Sequence, residues 1–193
     1  TKESTMEAIK SAFKNKSFRL FALFDAVYWF ALTIIQSALV YYVTILLKLP
    51  EKFSTELLVI LYAISFILFV PVNFIARVIQ KKKVLLVGFI LYGVVFLIIS
   101  QLGKLPMDMK SQGYLIAILA AIPIAIFGVV PGAMIADLVI ADAYITGSHK
   151  EGVFFAARTF IMKVSMSFSL LILPSILSIG KSITNNVGVR LTG

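Results

Sequence analysis

The chain has 193 residues, 60% of them apolar and 14% charged, with a formal net charge of +9 and a mean hydropathy of +1.01. A soluble domain of this size is charged at about a quarter of its positions, so this chain needs lipid around it, and its basic excess reads as membrane topology rather than nucleic-acid binding. With no cysteine and one histidine (His149), disulfides, thiolate chemistry, zinc sites and histidine relays are excluded, and no enzyme or cofactor site is expected.

The polar, basic opening Thr1–Ser17 has no signal-peptide pattern, because the apolar run after it is far longer than a signal core. The chain begins with Thr rather than Met, which reads as the interior of a longer protein. Five apolar runs reach the ~20 residues that a helix needs to cross a ~30 Å hydrocarbon core. They predict spans at about 18–47, 55–76, 84–102, 114–137 and 153–179. None alternates with the period of a barrel strand, so the expected fold is an all-α polytopic membrane protein in one membrane domain.

Basic residues set the expected orientation. Lys2, Lys10, Lys14, Lys16 and Arg19 precede or open the first span, and Arg77, Lys81, Lys82 and Lys83 join the second to the third. The opposite connections hold only Lys48 with Lys52 and Lys104 with Lys110. The positive-inside rule then puts the N-terminus and the 77–83 connection in the cytoplasm, with the 142–152 loop beside them and the C-terminal tail outside. Gly103–Gly113 and Gly180–Gly193 read as external loops, the second like a connection awaiting a sixth span.

Within the first span, Asp25 lies about 10 Å from the end near Phe18. Trp29, Thr33 and Gln36 or Ser37 share its face, with Tyr28 beside it. A carboxylate, an amide, hydroxyls and rings on one stripe suit a polyhydroxylated ligand; the alternative is an interhelical ion pair of Asp25 with Lys163 or Arg19. The fourth span holds Pro123, Gly128, Pro131 and Gly132, a composition found where transporter helices are interrupted and common in membrane helices at large. Asp137 and Asp142 at its cytoplasmic end, and Lys150 and Glu151 at the start of the next span, lie on the same side as Arg77, and these predict a cytoplasmic gate of salt bridges or a solvated loop. In the fifth span Lys163 lies about 15 Å beyond Val153, near the midplane, and shares a stripe with Thr159 and Ser167. An ionisable group at that depth is a functional candidate; the alternative is a lysine that snorkels or ties helices together.

The stretch from Ile135 to Ser169 carries Ala136-Asp137, a loop ending in Thr146-Gly147, then Lys150-Glu151-Gly152 and a helix with the lone Lys163. This pattern resembles the glycoside–pentoside–hexuronide:cation symporters, the melibiose-permease-like branch of the major facilitator superfamily. The opening KNKSFRLFALFDAVYWF, the loop KKKVLLVGF and the ending NNVGVRLTG are similar to that family's C-terminal half. The resemblance implies five helices of a six-helix C-terminal bundle, with the N-terminal half as partner. It implies sugar uptake coupled to Na⁺ or H⁺, with Lys163 coupling cation to sugar, Thr159 at the sugar site and Phe127 beside an aromatic position that faces sugar. Arg158 stands where melibiose permease has glutamine, and Ile140 and Ala141 stand at positions expected to be acidic. The expected substrate face is therefore Lys163, Thr159, Arg158, Asp25, Trp29 and Phe127, in a plasma or inner membrane. A carrier of lysophospholipid or another amphiphile from the same superfamily, or a non-transporting membrane scaffold, is the competing expectation.

Overall fold

The computed structural model describes residues 10, 12–147, 150–183 and 185–193, so Lys2 and His149 lie outside the described residues. All regular structure in the described residues is helical. Among the described residues five helices are long and apolar enough to cross a membrane, as the apolar runs predict.

Helix α1 is Lys16–Tyr41. It starts where Asn15 Oδ1 accepts from the amides of Ser17 and Phe18, a side-chain cap for otherwise unpaired donors. It passes into a π-helical turn, Tyr42–Leu46, and ends before Lys48, whose φ of 54° turns the chain toward Pro50. Helix α2 is Lys52–Val78 and α3 is Lys81–Ser100. Helix α4 runs Met109–Thr146 and α5 Glu151–Ser178. A short helix, α6 (Val187–Arg190), closes the chain.

The two largest shifts from the expected boundaries both fall on α4, each for a local reason. Helix α4 begins at Met109 because Asp108 caps it, accepting from the amides of Lys110 and Ser111. It then continues through Asp137 and Asp142 to Thr146 and stops only at Gly147, whose φ of 67° is a left-handed helix terminator. The apolar run ends near Ala136, but a helix leaving the membrane keeps its backbone bonds until a residue breaks them. Its 38 residues rise about 57 Å, well beyond the ~30 Å hydrocarbon core. Neither Pro123 nor Pro131 interrupts it. Gly128 lies against α2, where an added Cβ would come within 2.9 Å of the Phe69 ring, whereas Gly132 faces open space.

Of the main helix packings, only that of α3 on α4 joins neighbours in sequence. Helices α2 and α3 both pack on α4, and α1 packs along α5. Ser65 of α2 donates to the Ala121 carbonyl of α4, and Ser169 of α5 donates to the Phe30 carbonyl of α1. The two groups join at an aromatic hub. There Tyr28 of α1 stacks on Phe127 of α4 at 4.2 Å between centroids, and Phe89 and Tyr92 of α3 meet Phe127 edge-on at 4.6 and 6.0 Å. A second apolar cluster, including Phe18, Phe21, Ile135 and Phe154, ties the starts of α1 and α5 to the end of α4.

The 180–193 tail is seated against the bundle instead of looping free. Tyr42 Oη donates to the Thr192 carbonyl at 3.1 Å, and Arg190 Nη1 donates to the last α3 carbonyl, Ser100, at 2.6 Å. A cation there also suits the negative end of the α3 dipole.

Candidate functional site

Asp25 and Arg158 face each other because α1 and α5 run parallel and in register. Arg158 Nε donates to one carboxylate oxygen at 3.1 Å and Nη2 to the other at 3.2 Å. The Asp25 side chain is 1% exposed and that of Arg158 20%. The guanidinium also lies 5.8 Å from the centroid of the Phe21 ring. An interhelical pair therefore exists, but neither expected partner makes it. Lys163 is five residues beyond Arg158, about 140° around the helix, and so points elsewhere. Arg19 is nearly two turns below Asp25 on an exposed part of α1. The charge of Arg158 at that depth was visible in the sequence; its register with Asp25 was not.

Trp29 lies one turn beyond Asp25. Its indole Nε1 is buried and has no hydrogen-bond partner among the described residues. Thr33 is buried, its hydroxyl donating to the Trp29 carbonyl at 2.7 Å. Gln36 is half-buried and donates to the hydroxyl of Tyr62 on α2, a polar link that the sequence left unpaired. Phe127 is 3% exposed and enclosed by the aromatic hub, one edge reaching a small crevice shared with Phe21, Phe24, Asp25 and Pro131.

Lys163 behaves differently. The face of α5 against α1 is Phe154, Ala157, Ser165 and Ser169, and Lys163 lies off it with exposed Thr159 and Ser167. The hydroxyls of Thr159 and Ser167 donate back to the carbonyls of Phe155 and Lys163. This satisfies them within the helix and leaves each oxygen able to accept again. Among the described residues no carboxylate pairs with Lys163. Since Arg158 and Asp25 cancel, the membrane-depth face keeps one uncompensated cation.

At the other charged cluster Lys81 pairs with Asp137 at 2.6 Å, joining the start of α3 to α4. Asp142 accepts from Asn15 Nδ2 at 2.9 Å, so one asparagine caps α1 and ties it to α4. Arg77, Lys150 and Glu151 make no ion pair among the described residues. Glu151 instead occupies the first turn of α5, where a negative charge complements the helix dipole. No group of metal-binding side chains occurs among the described residues.

Comparison with known proteins adds three findings. Residues 1–189 match the family described as MFS/sugar transport protein. An uncharacterized symporter of Synechocystis sp. is 25% identical over 167 residues, which are 86% of this chain and 30% of that protein. The chain thus spans less than a third of the curated relative it matches. No solved structure gives a significant match.

Proposed function

Since the chain belongs to the family of MFS/sugar transport proteins, we propose that it is the C-terminal half of a secondary transporter, moving a sugar or glycoside coupled to Na⁺ or H⁺ by alternating access. The single observation that carries this reading is Lys163. It sits in the middle of an apolar helix with two hydroxyl residues on its stripe and no counter-charge among the described residues, turned away from the bundle's own core. A charge held at that depth is costly unless water, solute or another part of the protein meets it. A cavity between two halves of a transporter supplies all three.

Asp25 holds the Arg158 guanidinium by a two-point contact, which fixes the edge offered to a hydroxyl-bearing solute. Thr159 adds a hydroxyl on the adjacent face, and Trp29 and Gln36 extend the same side along α1. The Lys81–Asp137 and Asn15–Asp142 contacts hold the ends of α1, α3 and α4 together, as a closed gate requires, and Arg77, Lys150 and Glu151 remain available for contacts with the partner half. The basic connections favour a cytoplasmic position for this gate and an external one for the Thr192 end, and the proposed location is a plasma or inner membrane.

The test uses the full-length protein in proteoliposomes, a panel of radiolabelled glycosides, and imposed Na⁺ or H⁺ gradients. Wild type should accumulate at least one glycoside, and Lys163→Ala should lose gradient-driven accumulation while inserting normally. Undiminished accumulation by Lys163→Ala contradicts the assignment. Accumulation of a lysophospholipid in place of every sugar contradicts the substrate class.

A further inference from the structure

Where Lys81–Lys83 open α3, a crevice of about 290 Å³ lies between α1 and α3. Gln80, Lys82 and Lys83 form its rim, and Phe24, Leu86 and Phe89 line its apolar part. The Phe24 and Phe89 rings lie 5.9 Å apart. The depth of each group follows from the length of α3, whose 20 residues rise about 30 Å, the thickness of the hydrocarbon core. Its first residues therefore sit at headgroup level, with Leu86 about 6 Å and Phe89 about 10 Å further in.

The charge at the rim is unbalanced. Lys81 is engaged by Asp137, but Lys82 and Lys83 have no carboxylate partner among the described residues, and the first turn of α3 contains no acid. Two cations thus stand above an apolar trough that faces the acyl region. A soluble anion would use only the rim of such a site, and an apolar segment only the trough.

We propose that this crevice binds an anionic phospholipid, its phosphodiester between Lys82 and Lys83 and an acyl chain along Phe24, Leu86 and Phe89. The site is independent of the transport reading; only the leaflet that supplies the lipid depends on the orientation proposed above. Bound there, the lipid touches α1 and α3 together, next to the Lys81–Asp137 contact.

Full-length protein in phosphatidylcholine nanodiscs doped with phosphatidylglycerol carrying an acyl-chain diazirine tests this directly. Photolysis should place cross-links on Phe24, Leu86 or Phe89. Affinity should fall about fivefold per lysine removed in Lys82→Gln/Lys83→Gln and persist in Lys82→Arg/Lys83→Arg. Equal labelling by diazirine phosphatidylcholine, labelling unchanged by the glutamine pair, displacement by inorganic phosphate, or no labelling of these residues would each overturn the proposal.

Discussion

Asp25 and Arg158 are each other's compensation, and removing one leaves the other charged in a largely desolvated place. Breaking such a pair costs about 3–5 kcal/mol, whereas replacing both members by apolar residues of similar volume is often neutral. Asp25→Ala should therefore lower the thermal unfolding midpoint of the purified full-length protein by several degrees. Asp25→Leu/Arg158→Met should recover most of that loss. If the pair also positions solute, the double variant stays inactive in transport although it is stable again; recovered transport would reduce the pair to a structural tie. Lys163 has no partner among the described residues to strand. Its removal should affect transport and leave stability near wild type.

At the scale of the helices, ends matter more than middles. Asn15 accepts from two α1 amides through Oδ1 and donates through Nδ2 to Asp142. That donation offsets a carboxylate placed at the unfavourable, C-terminal end of the α4 dipole. Aspartate caps a helix as well as asparagine does, so Asn15→Asp should preserve the start of α1. It sets two carboxylates against each other, however, and hydrogen exchange should rise in the last turns of α4, around 138–146, while staying unchanged in early α1. Unchanged exchange at both places would mean that the Asn15–Asp142 contact holds nothing. The five spans were legible in the sequence because burial in lipid demands long apolar runs. Their true ends were only partly so: Asp108 as a cap and Gly147 as a terminator are local signals, but a hydropathy window stops at the first charges and misses the turns of α4 that continue past them. The partners of the charged residues were less legible still. Hydropathy ranks Asp25, Arg158, Lys163 and Asp137 as unusual, yet only the register of α1 against α5, and of α3 against α4, decides that Arg158 meets Asp25 and Lys81 meets Asp137.

For the molecule as a whole, α1 pairs with α5 while α2 and α3 pack on α4, and the two groups meet at the Tyr28–Phe127 hub. Under the proposed function, α5 directs its Thr159–Lys163–Ser167 stripe toward a water-filled cavity shared with the rest of the full-length protein rather than toward lipid. This chain contains no cysteine, so single thiols introduced here can be read separately once any cysteines elsewhere in the full-length protein are replaced. In membranes, a membrane-impermeant hydrophilic maleimide should label Thr159→Cys and Ser167→Cys from at least one side, and leave Ser165→Cys, which faces α1, unlabelled. Failure to label either 159 or 167 from both sides would put that stripe in lipid and contradict the placement of the solute path along α5.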